Sequence, residues 1–282
     1  FKYGAKLSLS DSQSKILRYG NPTGSLSKYV EGELIGNIYG YTTIGIAKTD
    51  EEMQQHLASL PNGGQSALGS QWAAGDIMYA DLNGDGKINN GSYTINDMGD
   101  MKKIGNSTPR FMTGINLDAA YKGWDLQMFW QGVLKRDWWP GDKNMTFWGV
   151  TDGEWWSTSF KEHLDYFRTS ENPLGENLNS YYPRPIFNTK NNKSQTRYLQ
   201  NAAYMRLKNI QVGYTFPKVW INKLMLQNLR IFVSGENLLT ITSLSDTMDP
   251  ETCGAGYQST EQANGTVYPL AKTISFGLSV NF

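Results

Sequence analysis

The chain has 282 residues with 26 basic and 26 acidic side chains, so it lacks the basic excess of a nucleic-acid-binding protein. Few charges (18%), many aromatics (13%) and 29 glycines exclude disorder, and a lone cysteine, Cys253, excludes an internal disulfide framework or a Cys-based zinc cluster. No apolar run approaches the ~18 residues of a membrane-spanning helix, which leaves membrane strands open because their hydropathy signal is far weaker.

Taken in order, Phe1–Ser10 and roughly Lys28–Tyr41 are the first strand candidates. Thr49 to Leu60 has helical spacing, with Thr49 and Asp50 as N-caps and Pro61 as the stop. From Phe111, residues Phe111, Thr113, Ile115, Leu117, Ala119 and Tyr121 alternate with Met112, Gly114, Asn116, Asp118 and Ala120. After Lys122-Gly123 the alternation resumes, with Trp124, Leu126, Met128 and Trp130 on the face that carries Tyr121, which predicts a hairpin. Ser157 to Phe167 reads as a second helix, and Tyr204–Phe216 and Leu229–Thr240 as strands. In Thr273–Phe282, Ile274, Phe276, Leu278, Val280 and Phe282 form one face, and Thr273, Ser275, Gly277, Ser279 and Asn281 the other.

Seven strands result, joined by connections that alternate between short (11–27, Lys122-Gly123, 217–228) and long (42–110, 135–203, 241–270). Long structureless loops are uncommon in a compact soluble domain, whereas outer-membrane barrels pair short periplasmic turns with long extracellular loops. Tyr121, Trp124, Phe216 and Phe282 then fall at the periplasmic interface, where barrels carry aromatic girdles. An all-β membrane barrel segment is therefore expected, starting at an extracellular loop and completed by strands outside this chain, since hydrocarbon does not tolerate open edges. The competing reading is a soluble or surface-attached all-β glycan-binding module.

Several blocks resemble the SusC/RagA-type TonB-dependent outer-membrane transporters. They include Tyr204–Pro217, Asn228–Asn237 and Tyr268–Phe282, together with Ile35-Gly36, Tyr39–Tyr41, Gly45-Ile46, Gly75–Tyr79, Asp81–Ile88, Ile104–Asn106 and Pro109–Phe111. The match runs in order along essentially the whole chain. It implies the C-terminal portion (1–282) of a barrel of about 22 strands, plugged by an N-terminal domain and sited in the outer membrane of a Gram-negative bacterium. It also implies import of oligosaccharides or peptides with energy from TonB, and a SusD-like lipoprotein as lid. Neither plug nor TonB-contacting segment is found in the chain.

Asp81, Asn83, Asp85 and Lys87, the last by its carbonyl, resemble the first half of a Ca²⁺ loop with Gly86 at its sixth position. Ser92 stands where the last acidic ligand belongs, and Asp97 is the candidate substitute; an acidic tight turn without metal is the rival. Trp138, Trp139, Trp155 and Trp156 offer flat faces for stacking sugars, or else pack within the loop or against the lid. Asp118, Asp125, Gln127 and Glu236 are candidates to line the passage or meet the plug. Ser275, Gly277, Val280 and the terminal Phe282 fit the assembly signal of outer-membrane barrels, which the resemblance implies is read by the insertion machinery. His56 and His163 are isolated, and a Glu154–Asp165 carboxylate pair is unremarkable among 26 acidic residues, so no enzyme is expected.

Overall fold

Period-two alternation over ten or more residues leaves a strand with two chemically different faces, and here such strands assemble into one open sheet. The computed structural model describes residues 1–155, 157–222, 225–253 and 269–282. Its strands are β1 (Lys2–Ser10), β2 (Asn37–Tyr41), β3 (Thr43–Ile46), β4 (Ile77–Tyr79), β5 (Met101–Asn106), β6 (Arg110–Tyr121), β7 (Trp124–Lys135), β8 (Asp137–Trp138), β9 (Gln200–Asn201), β10 (Tyr204–Thr215), β11 (Asn228–Thr242) and β12 (Thr273–Asn281). The helices are α1 (Asp50–Ala58), α2 (Met145–Trp148) and α3 (Lys218–Ile221). The main sheet is antiparallel in the order β1-β6-β7-β10-β11-β12, and the other strands form three two-stranded ribbons.

The register keeps every apolar set together. Tyr3 opposes Ala119, Leu117 opposes Met128, Leu126 opposes Val212, Val212 opposes Val233, and Val233 opposes Phe276. Because opposed residues share a face, one side of the sheet is apolar from edge to edge. It is also bare: Leu7 is 69% exposed, Phe276 82% and Leu278 65%. A soluble sandwich would stack a second sheet on this face, and no such sheet exists among the described residues. The opposite face carries Lys6, Asn116, Asp118, Gln127, Gln211, Arg230 and Ser279.

Four expectations are corrected. The Lys28–Tyr41 segment supplies only β2, which pairs with β5 in a small ribbon, so the main sheet has six strands rather than seven. With β1 paired directly to β6, residues 11–109 form one long connection, and the predicted short link 11–27 is part of it. The physical reason is register: Leu9↔Thr113 and Lys2↔Ala120 give β1 a full-length partner that already fills the place a seventh strand would take. Phe1 consequently lies at the short-turn end, beside Tyr121 at a ring separation of 6.1 Å, and not at a long loop. Finally, Ser157–Phe167 forms a single 3-10 turn, Lys161–Leu164, whereas the first predicted helix forms as α1 with the Thr49 side chain accepting from Glu52 N.

The strict alternation of connection lengths survives this change. Residues 11–109, 136–203 and 243–272 leave one end of the sheet, and Lys122-Gly123 and 216–227 turn at the other. The buried core lies outside the sheet, in a cap built from the long connections: Tyr41, Met53, Ile77, Tyr79, Ile88, Trp138, Phe147, Trp148, Tyr182, Tyr198, Leu244 and Met248 belong to it.

Candidate functional site

The cap is joined across connections by a buried carboxylate. Asp76 is wholly buried and receives Arg184 Nε (2.8 Å), Lys190 Nζ (2.8 Å), Asn191 Nδ2 (2.9 Å) and Ala73 N (2.9 Å). Burial by itself pushes the carboxyl up, but the hydrogen bonds from Arg184, Lys190 and Asn191 outweigh it and hold Asp76 below the usual carboxylate range. Lys190 lies over the Trp72 ring at 4.5 Å and also donates to the carbonyls of Ser70 and Gln71. Its ammonium is pushed below its ordinary pKa by burial, against the pull of Asp76. Gln65 adds a second tie, accepting from Tyr79 N and donating to Ile77 O.

The Asp81–Ile88 segment folds as a tight turn closed by its own side chains. Asp81 accepts from Gly84 N (2.7 Å) and Gly86 N (2.8 Å), Asn83 Oδ1 from Asp85 N (3.0 Å), and Asp85 from Lys87 N (3.1 Å). Asp97 is placed in a separate turn, where Ser92 and Gly99 N occupy its carboxylate. The acidic neighbour of Asp81 is Asp100, which is fully buried and accepts from Leu82 N and Asn89 N. Burial and the charge of Asp81 push the Asp100 carboxyl up. Asp81, Asn83, Asp85 and the Lys87 carbonyl are hard oxygen donors of the type Ca²⁺ takes, although no group of three or more His, Cys, Asp or Glu side chains poised for a metal occurs among the described residues. Asp100 was missed because its place against Asp81 is set by long-range folding, with no spacing to mark it.

The tryptophans separate. Trp138 (3% exposed) is core, and Trp139 packs against that core with its ring 6.2 Å from Trp148. Trp138 is closed off by the hydrophobic core it shares with Phe147, Trp148, Tyr182 and Tyr198, whereas Trp139 is half-buried against that core. Trp155 is 78% exposed and lines a surface cavity of about 260 Å³ with Glu154, Ser157, Pro185 and Phe187. Trp156 and residues 254–268 of the 241–270 loop lie outside the described residues.

On the polar face, Arg230 of β11 reaches across β10 to Asp125 of β7, with Nε 3.0 Å from the carboxylate. Gly213 lies beneath this bridge, and a Cβ there would fall 2.4 Å from Arg230 Nη2. Next to it the Phe232 ring covers Gly277, whose added Cβ would meet Cζ at 2.0 Å. Gly277 of the predicted assembly signal is thus also a seat for an aromatic ring, and Ser275 shares its face while Val280 and Phe282 belong to the apolar one. Near the cap a bulge at Lys208 opposite Asn237-Leu238 lets both Arg206 and Lys208 reach Glu251, while Arg206 also pairs with Asp249 at 2.9 Å. These contacts tie the third long connection to the strands.

The residues weighed for catalysis are occupied otherwise. Glu154 pairs with Lys143 (2.9 Å), Asp165 accepts from Asn177, His56 bonds Gln65, and buried His163 accepts from Phe160 N. Cys253 is buried, with its thiol directed to Pro250 O and pushed up by burial.

No protein-family model matches the chain. Among curated proteins, TonB-dependent receptor P3 of Formosa agariphila is 30% identical over 260 residues, covering 89% of this chain and 22% of the relative. TonB-dependent receptor P39 of the same organism is 23% identical over 316 residues, covering 100% of this chain and 28% of the relative. Among solved structures, the RagAB peptide transporter aligns with a TM-score of 0.61 at 18% identity, over 99% of this chain and 27% of that one. The RagAB peptide importer in its closed-closed state gives 0.58 at 17% identity, over 99% and 27%. The chain therefore spans about a quarter of the length of the proteins it matches. Their names are those of receptors and transporters, not enzymes, which agrees with the sequence expectation.

Proposed function

Since this chain belongs to the SusC/RagA-type TonB-dependent transporters of the Gram-negative outer membrane, we propose that it is the C-terminal part of a barrel of about 22 strands that imports oligosaccharides or peptides. The observation that carries the reading is the sheet itself. One face is apolar across all six strands, the other is polar, and the folded mass of the long connections gathers at one end. Such a sheet is at rest only with lipid against one face and an aqueous or plugged lumen against the other. The unpaired edges of β1 and β12 need further strands, because each unsatisfied backbone group in hydrocarbon costs several kcal/mol. The remainder of the transporter supplies them, along with the plug and the segment that meets TonB.

In this reading the cap is extracellular and a SusD-like lipoprotein closes over it. Cap and lid capture the substrate, and TonB-driven movement of the plug passes it inward along the polar face, where Asp118, Asp125, Gln127 and Glu236 are available. Trp155, 78% exposed, meets substrate or lid. Ser275, Gly277, Val280 and Phe282 serve as the assembly signal. The Asp81–Ile88 turn is a Ca²⁺ site in which Asp81, Asn83, Asp85 and the Lys87 carbonyl are the ligands and Asp100 adds charge beside Asp81. Ca²⁺ there would stiffen the first long connection.

The test starts from isolated outer membranes. A polypeptide that contains the Thr273–Phe282 sequence, on the order of 100 kDa and co-purifying with a lipoprotein, is expected. A free 31.7 kDa species in the soluble fraction would overturn the barrel. Titrating the purified complex with oligosaccharides and with peptides then decides the substrate class. For the Ca²⁺ site, about 2.7 kcal/mol of added stability is expected at a hundredfold excess over Kd, and no change in melting on chelation and Ca²⁺ readdition would refute it.

A further inference from the structure

The connection 216–227 is longer than a turn between adjacent antiparallel strands needs, since Lys122-Gly123 does the same task with two residues. Its described residues hold α3 and a left-handed Met225. Of its apolar side chains, Ile221 is buried, whereas Val219 is 77% exposed, Trp220 60% and Met225 88%. Scattered exposed apolar residues need no explanation, but these continue a band. Trp124 and Tyr214 stand 4.9 Å apart, Tyr214 and Phe216 5.1 Å, and Phe216 and Trp220 6.4 Å. Trp124 and Tyr214 are on the apolar face of the sheet, so the ring row runs from that face directly onto the connection. Exposed Lys218 lies beside it, and Lys122 of the neighbouring turn lies over the Tyr121 ring at 5.3 Å.

We infer that α3 and Met225 form a membrane-interface foot: Trp220, Val219 and Met225 insert among the headgroups and upper acyl chains of the periplasmic leaflet, while Lys218 and Lys122 meet lipid phosphate. Amphipathic rings favour this zone, and short amphipathic segments bind there through apolar area and cationic charge. The occupant is lipid rather than protein because the patch is continuous with the face that the barrel reading already assigns to lipid. The inference rests on that reading.

The test uses the full-length transporter in nanodiscs of phosphatidylethanolamine and phosphatidylglycerol, with Cys253 and any other thiol replaced. Spin labels are attached singly at Val219→Cys, Met225→Cys, Val233→Cys on the apolar face of β11, and Glu171→Cys in the cap. Collision rates with oxygen and with a water-soluble nickel chelate are compared. Labels at 219 and 225 are expected to favour oxygen severalfold, in the sense of 233 and opposite to 171. Labels at 219 and 225 that behave like 171 while 233 reports lipid would overturn the foot and leave the barrel standing. Labels at 219 and 225 shielded from both reagents would show a protein covering, and would also overturn it. A water-like label at 233 would refute the barrel and the foot together.

Discussion

Replacing Asp76 by Asn removes the one carboxylate that faces Arg184, Lys190 and Asn191 while keeping its shape. Lys190 is 2% exposed at its side chain, so its ammonium would remain buried with neutral partners only: the amide oxygen that replaces the carboxylate, the carbonyls of Ser70 and Gln71 and the face of Trp72. Breaking a buried pair from one side costs about 3–5 kcal/mol, and Arg184, 30% exposed, recovers part of its loss through water. The expected cost for Asp76→Asn is thus about 3 kcal/mol, confined to the cap. Hydrogen exchange of the intact transporter measures it: amides of Ile77–Tyr79 and Tyr41 should lose protection, and those of β10 and β11 should not. Adding Lys190→Met should restore much of the loss, since the orphaned charge is then gone. Unchanged exchange at Ile77–Tyr79 would refute the idea that this ion cluster locks the first two connections. The pH dependence follows from the same site. With its folded pKa held below 3.8, Asp76 contributes stability above that value, and the contribution disappears as pH falls through the folded pKa. Lys190, with a folded pKa below 10.5, acts the other way, so its burial costs less as pH rises toward that value.

Trp138→Ala should destabilise the cap by about 3–5 kcal/mol, while Trp155→Ala, at a ring 78% exposed, should cost far less stability and lower substrate or lid affinity in a binding titration. Gly213→Val should force Arg230 off Asp125 and cost about 1–3 kcal/mol, read as a lower temperature for loss of the folded band on electrophoresis. Arg206→Met should release the stem of the third connection from Asp249 and Glu251, seen as faster proteolysis after Ser243 with the strands intact. Asp100→Asn should abolish the stabilisation of the cap by Ca²⁺ if Asp81 and Asp100 act on one cation, whereas Asp97→Asn should leave it in place.

The two faces of β6, β7 and β12, the Lys122-Gly123 hairpin, α1 and its Thr49 cap, and the alternation of long and short connections were legible in the chain. Each depends on neighbours within a few residues, where side-chain alternation and capping are decided locally. Strand number was not local. Lys28–Tyr41 had strand composition, but β1 and β6, about a hundred residues apart, matched over nine pairs and left it to a ribbon with β5. The same limit applies to the site residues. Trp138 and Trp155 look alike in sequence, yet Trp138 meets a core assembled from three separate connections and Trp155 does not. Asp97 had the better spacing, but Asp100 is the residue that folding brings against Asp81. Local chemistry determined which side of each strand is apolar. Burial, ion pairing and the sinking of Trp138 into the core were decided only by contacts between segments far apart in the chain, where packing density and desolvation select partners that spacing cannot encode.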